Sequence, residues 1–390
     1  MISVAQALTH LFDLVRPLET ETVRLHDAAG RVLAQDAVAR RDQPPFAASS
    51  MDGYAVHGDQ VTEGAAFTVV GEAAAGHALD RSIAPHEAAR IFTGAPMPTG
   101  TDRVVIQEDV TRDGDTITVN VGADTQAYVR EQGKDFKNGD SITAPRLLSA
   151  SDVALLAAMN IASVTVTRRP KVAIIATGDE LVQPGEAPGP DQIIASNSFG
   201  LAALMQQHGA DVRHLPIARD TLPSLRTVLD LAKDADLILT IGGASEGDHD
   251  LVAEAATKMG LDRSFYKIAM RPGKPLMAGT LGTATLIGLP GNPVSAMVCG
   301  HIFVLPALRK MMGLPAEPAP TMTATLAAPV GQNGPREHYM RGILGNGSVT
   351  VFEQQDSVLL SLLSQANCLV IRPPHDPERA AGDTVTIVQI

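Results

Sequence analysis

Acidic side chains and glycine turns follow short apolar runs in the middle of this chain, and that spacing suits a phosphate or oxyanion site. The stretch Leu237 to Asp250 reads LILTIGGASEGDHD. Leu237 to Ile241 carries no polar face, as in a strand buried on both sides within a parallel sheet. Gly242 and Gly243 stop the run and let the backbone approach a ligand with no Cβ in the way. Ser245, Gly247, Asp248 and Asp250 follow, and then LVAEAATKM has helical spacing up to Gly260. Strand, glycine turn, acidic cap and helix together aim backbone N–H groups at the carboxyl edge of a sheet, where open α/β sheets hold phosphates. The two aspartates suit a hard cation such as magnesium accompanying that phosphate. A structural glycine turn with an ordinary acidic N-cap would read the same way, so the motif alone leaves both uses open.

Neighbouring loops carry more of the same chemistry. TGDEL holds Gly178, Asp179 and Glu180, and Asp220 ends the next extended run. RPGKP sets Arg271 and Lys274 on either side of a Pro272–Gly273 bend, with Lys267 just before it and Pro275 fixing its exit. GLPGNP presents Gly291 and Asn292 ahead of Pro293, with Asn292 expected as an N-cap. An anionic ligand and its metal need both signs of charge close together, which this one segment supplies. Taken singly, RPGKP also fits a solvated surface turn, and GLPGNP, MDGY and TGAPMP fit ordinary turn chemistry.

The elements that must position these loops follow from the rest of the chain. A length of 390 residues implies roughly two to four domains. The net charge of −12 argues against nucleic acid or an acidic membrane as partner, and 3% aromatics with no Trp provide no base-stacking platform. Cys299 and Cys368 lack metal-ligand spacing and read as buried free thiols of a reducing compartment. Val4, Leu8, Leu11, Phe12 and Val15 mark one face of an N-terminal helix, with no basic region or cleavage site before it. With no run of about 18 apolar residues, the expectation is a cytoplasmic protein without a membrane span.

After a break at Pro17 the chain runs as a helical or extended arm to residue 43, then through the turn cluster PPFAASSMDGYAV. Short β-type runs between glycine turns continue to about residue 135, and Ser151 is placed to cap the helix DVALLAAMN. From Lys171 strands and helices alternate, the signature of a parallel sheet. PAEPAP is a stiff linker, and β-type runs resume beyond it.

Six of these stretches in their order, SSMDGYAV, RIFTGAPMPTGTDRVV, TGDEL, GGASEGDHD, RPGKP and GLPGNPVSA, resemble the molybdopterin molybdenumtransferase family, which is similar to the eukaryotic gephyrin E domain. REHYMRG and SQANCLVI match that family's C-terminal β domain, so the resemblance runs from first helix to last strand. It implies an α/β multidomain fold. A central three-layer molybdopterin-binding α/β domain with a parallel-type sheet spans 169–315, and an elongated arm is built from 1–43 plus 136–168. A small β-barrel-like domain spans 44–135 and a C-terminal β-barrel domain spans 316–390.

The resemblance also implies the chemistry: transfer of molybdenum from molybdate into adenylylated molybdopterin, with magnesium-assisted release of AMP. By position, Asp250, Glu180, Asp220 and Lys267 take the catalytic roles, and Glu180, Asp220, Asp248 and Asp250 the Mg²⁺. Ser245, Arg271, Lys274, Pro275, Arg341 and Ser357 cradle the oxyanion or terminal phosphate, beside Gly242, Gly243, Gly291 and Asn292. Asp52, Thr93 and Asp135 lie on the unit that reaches a partner subunit's site, which implies an elongated homodimer. A separate molybdopterin adenylyltransferase and a molybdoenzyme or chaperone are the implied protein partners.

Three positions depart from the family pattern: Glu246 replaces a small or apolar residue, Asp356 a glycine, and Arg271 the lysine of many members. An adenylyltransferase acting one step earlier would lack both β domains. A non-catalytic scaffold would gain nothing from Glu180, Asp220 and Asp250. A nucleotide-processing enzyme on the same α/β fold is the third alternative, separable by whether a molybdoenzyme is restored.

Overall fold

In the computed structural model, which describes residues 1–243 and 251–390, the site is positioned by a six-stranded sheet. Its strands run in the order Asp211–His214, Lys171–Ala176, Leu237–Ile241, Ala284–Leu289, Met277–Leu281, Asp262–Tyr266. The first four are parallel and the last two pair antiparallel, so an otherwise parallel sheet ends in an antiparallel edge. Side chains alternate between its faces. Val172, Ile174, Leu237 and Leu239 enter one core, and Ala173, Ile175 and Ile238 enter the other. Helices cover both faces, which is why these strands read as unbroken apolar runs.

The larger core also takes up the N-terminal helix Val4–Leu14, through Val4, Ala7, Leu8 and Leu11. A reciprocal capping box between Ser3 and Gln6 starts this helix. Although it is expected with the arm, it therefore packs on the α/β unit, because its apolar stripe finds a matching surface there. Pro293–Cys299, Gly300–Val304 and Leu305–Met311 join into one helix, Pro293–Met311, within which an 18-residue stretch has a mean hydropathy of 1.3. It is not an unbroken apolar run, since Ser295, His301, Arg309 and Lys310 interrupt it. The helix is 78% buried in the same core, where Val298, Phe303, Val304 and Leu308 pack.

The arm sheet pairs Thr20–Arg24 with Ser163–Thr167, and Val32–Leu33 with Arg146–Leu147. Its helix Ala150–Ala158 is capped by Ser149 rather than Ser151, since Asp152 stands three residues after Ser149 and closes a capping box with it. Arg168 clamps this arm to the α/β unit through two bonds to the Asp236 carboxylate, at 2.6 and 2.7 Å, and one to Glu19 at 2.7 Å. Residues 53–119 hold a separate six-stranded sheet. The last unit closes on itself: Glu337–Gly345, Ser348–Val351, Thr321–Leu326, Thr384–Gln389 and Cys368–Arg372 pair in turn, and the last returns to the first. The short strand Met270–Arg271 joins this barrel by parallel pairing to Glu337–Gly345, which ties the RPGKP turn to both units.

Candidate active site

Strand Lys171–Ala176 lies between Asp211–His214 and Leu237–Ile241, so connections leave its two sides in opposite directions. Ligands settle at such a switch point in open α/β sheets. A cavity of about 820 Å³ opens there. Thr177, Gly178 and Glu180 form one wall and Gly242 and Gly243 another, with Asp220, Pro275, Gly291 and Asn292 completing it.

The acidic turn is shaped for this place. Gly178 has φ +148°, and a Cβ there would fall 2.3 Å from Glu180 Oε2, so its missing side chain is the space into which the glutamate carboxylate folds. Arg219, just before Asp220, donates from Nη1 to the backbone carbonyls of Asp179 at 2.9 Å and Leu181 at 3.3 Å. Asp179 Oδ1 in turn accepts from the Asp220 backbone N–H at 3.2 Å. One guanidinium thus braces the turn carrying Glu180 and the segment carrying Asp220. Two exposed carboxylates at one cavity are hard oxygen donors of the kind a magnesium ion takes, and the space above Gly178 keeps one of them inside the cavity mouth.

Across the cavity Asn292 occupies the N-cap position of Pro293–Cys299 without capping it. Its Nδ2 instead donates to Ser357 Oγ at 3.2 Å, and the Val294 N–H donates to the Ser357 carbonyl at 3.0 Å. The C-terminal barrel therefore supplies part of the rim, with Val358 in the lining. Asn197 Nδ2 binds the Gly291 carbonyl at 2.7 Å from the third side.

RPGKP lies at the seam. Gly273 has φ +113° and is buried, with space for a Cβ denied by Cys299 Sγ at 2.6 Å and Met270 Sδ at 3.0 Å. Backbone bonds from Ile268 to Lys274 and from Lys267 to Leu276 close the base of the turn, and Ile2 pairs with it from the N-terminus. The turn is therefore anchored, not a free surface bend. Of its residues Pro275 lines the cavity, Arg271 is exposed and Lys274 is half-buried. Lys267 sits with its Nζ 4.9 Å over the Tyr266 ring.

Arg341 differs from its implied role. It is 1% exposed, and its guanidinium donates to Gln355 Oε1 and to the carbonyls of Leu359 and Gln354 at 3.2–3.3 Å. It holds the loop that carries Ser357 instead of reaching the cavity, and burial pulls its pKa down. Asp52 and Thr93 come together away from the cavity: Asp52 Oδ1 accepts the Thr93 N–H at 2.7 Å and its hydroxyl at 2.8 Å. These bonds hold the Asp52 carboxyl below its usual range. Asp135 is exposed and is not among the residues lining the cavity. Ser245, Asp248 and Asp250 lie outside the described residues.

Sequence reasoning passed over Arg219, Thr177, Asn197 and Val358. Arg219 had one signal available, since an arginine beside an acid after a strand is well placed to brace a neighbouring turn.

Three family models match in order: the MoeA N-terminal region (domain I and II) over residues 2–160, a probable molybdopterin binding domain over 173–310, and the MoeA C-terminal region (domain IV) over 323–390. A molybdopterin molybdenumtransferase of Nostoc is 34% identical, covering 100% of this chain and 94% of that protein. One of Haemophilus influenzae is also 34% identical over 99% of this chain and 98% of its own length. A molybdopterin biosynthesis moeA protein of Pyrococcus horikoshii matches in structure with a TM-score of 0.86 at 28% identity, each chain covered fully. With relatives at this identity over nearly their whole length, the chain belongs to the molybdopterin molybdenumtransferase family.

Proposed function

We propose that this chain transfers molybdenum from molybdate into adenylylated molybdopterin and releases AMP. The observation that carries the reading is the meeting of Glu180 and Asp220 with the Gly242–Gly243 turn and Pro275 around one cavity at the switch point. Glycine turns there receive a phosphate through backbone N–H groups. Arg271 and Lys274 present cations to a tetrahedral oxyanion, and Arg keeps its charge at every physiological pH. Glu180 and Asp220 would hold Mg²⁺, completed in the family pattern by Asp248 and Asp250. Bound there, that ion supplies stabilisation of charge developing on the phosphate as AMP leaves. Ser357, set by Asn292, and Ser245 add hydroxyl donors to the oxyanion, and Lys267 adds a further cation.

The same reading makes the chain a cytoplasmic homodimer, with Asp52, Thr93 and Asp135 serving the partner subunit's site. It divides the chain into an arm of 1–43 plus 136–168, whose first helix packs on the α/β unit, and units at 44–135, 169–315 and 316–390. Its substrate comes from a separate adenylyltransferase, and its product passes to a molybdoenzyme or chaperone.

The test combines purified protein, Mg²⁺, molybdate and adenylyl-molybdopterin, and follows AMP release and recovery of an apo-molybdoenzyme. Both should appear, and Glu180→Gln should lose both while remaining folded. AMP release without recovered molybdoenzyme activity would reduce the chain to a nucleotide hydrolase. Lys274→Ala should raise the molybdate concentration for half-maximal recovery about 10-fold or more, the loss of one charge-assisted bond.

A further inference from the structure

Three residues far apart in sequence form one row across the seam. Arg271 pairs with His338 on the parallel ladder, and His338 pairs with Arg372 on the antiparallel one. Residues paired across adjacent strands project from the same face of a sheet. Arg336, just before the strand of His338, lies beside the Arg271 end of the row and donates from Nη1 to the Met270 carbonyl at 3.3 Å. His338 is 6% exposed and Arg372 1%.

Two nitrogens in this row are buried with no hydrogen-bond partner among the described residues, His338 Nε2 and Arg372 Nη1. Arg372 spends its other donors on Asp376, the Gly331 carbonyl and the Pro377 carbonyl. The charges that bear on His338 are Arg271 and Arg372 from the flanking strands, with Arg336 just before its own strand and Arg341 further along it. Two acids of these elements are engaged elsewhere: Asp376 binds Arg372 and Arg379, and Glu337 accepts the Tyr339 hydroxyl. Burial first, and then these four guanidinium groups, push the imidazole down to about 4. It is a neutral ring held among cations.

We propose that His338 is a positioning residue for the oxyanion: when an anion settles at the Arg271–Arg336 end of the row, His338 takes up one proton from solvent at its ring. The inference rests on the oxyanion reading of the RPGKP turn. An arriving dianion cancels the positive field that keeps His338 neutral, so the anion and the proton each favour the other's binding. No covalent bond changes; one proton moves from bulk water to the imidazole, and the loaded row carries one more positive charge than the empty one. Oxyanion affinity therefore rises as pH falls.

The measurement is titration calorimetry of the full-length protein with sulfate, a tetrahedral dianion that stays unprotonated in the range used, between about pH 8 and pH 5. Two buffers of different ionisation heat report the protons taken up. Affinity should rise toward the acid end, by up to about 15-fold for site–site coupling at the top of its ordinary range, with net proton uptake. His338→Gln should bind sulfate with a flat pH profile and no uptake. The His338 ring resonances of the wild type, followed by NMR with and without sulfate, read the same proton should that variant fail to fold. Sulfate binding with no proton uptake overturns the role of His338 and leaves the oxyanion reading standing. Failure of both sulfate and molybdate to bind overturns both. An unchanged pH slope in a folded His338→Gln also overturns it.

Discussion

Arg219 donates to the backbone carbonyl of Asp179 at 2.9 Å, and through this bond an arginine outside the cavity lining sets the aim of Glu180. The same nitrogen also holds the Leu181 carbonyl, so both flanks of Glu180 hang on one group. Displacing a catalytic carboxylate by about 1 Å costs on the order of 100-fold in rate. Arg219→Ala should therefore lower AMP release roughly 10- to 100-fold. Because Arg219 is exposed, stability should change by only about 1 kcal/mol. Paired turnover and thermal-melt measurements check this; full activity would mean that the Asp179–Asp220 bond alone fixes the turn.

Arg341 separates two roles that sequence resemblance merges. Its buried guanidinium satisfies three acceptors of the loop 354–359. Removing it leaves those groups unpaired, at about 1–3 kcal/mol for the first of them. Arg341→Ala should thus lower the unfolding free energy even with no substrate present. A direct oxyanion ligand would instead leave stability unchanged and weaken only molybdate binding, and denaturant melts beside molybdate titrations distinguish the two.

Gly273 links backbone conformation to the placement of two cations. A Cβ there meets Cys299 Sγ and Met270 Sδ, and φ +113° is outside the range that side chains favour. Gly273→Ala should cost about 1–3 kcal/mol from strain and overpacking. It should also weaken oxyanion binding, because Arg271 and Lys274 flank the displaced bend. A variant with wild-type melting and wild-type molybdate response would show that the turn has room to rearrange.

What could be read from the sequence was what local pattern controls. Leu237–Ile241 reads as doubly buried because both faces of its strand are covered, and Gly242 and Gly243 end it at the cavity. Glu180, Asp220, Pro275, Gly291 and Asn292 reach that cavity because each follows or precedes a strand of the same six-stranded sheet. Tertiary partners were invisible. Asn292 has the identity and position of an N-cap, yet a serine 65 residues away takes its amide. Ser149 wins over Ser151 by a reciprocal bond to Asp152 that spacing alone permits at only one of them. The row Arg271–His338–Arg372 depends on strand register, which no local period encodes.

Asp376 supplies the pH dependence. It is 6% exposed, and bonds from Arg379 and Arg372 hold its carboxyl below the usual range. A carboxylate with a lowered folded pKa contributes stability above its unfolded value, about 3.9, and that contribution drains away as pH falls through the folded pKa. Asp376→Asn removes the charge at every pH and leaves Arg372 buried without its counter-ion. At neutral pH this should destabilise the C-terminal barrel by about 3–5 kcal/mol. The gap between wild type and variant should narrow once the pH drops below about 4, where the wild-type carboxylate begins to lose its own advantage. Denaturant unfolding of both proteins from neutral to acid pH measures this. A gap that stays constant with pH would mean the loss comes from packing, with the Arg372–Asp376 pair electrostatically neutral to the fold.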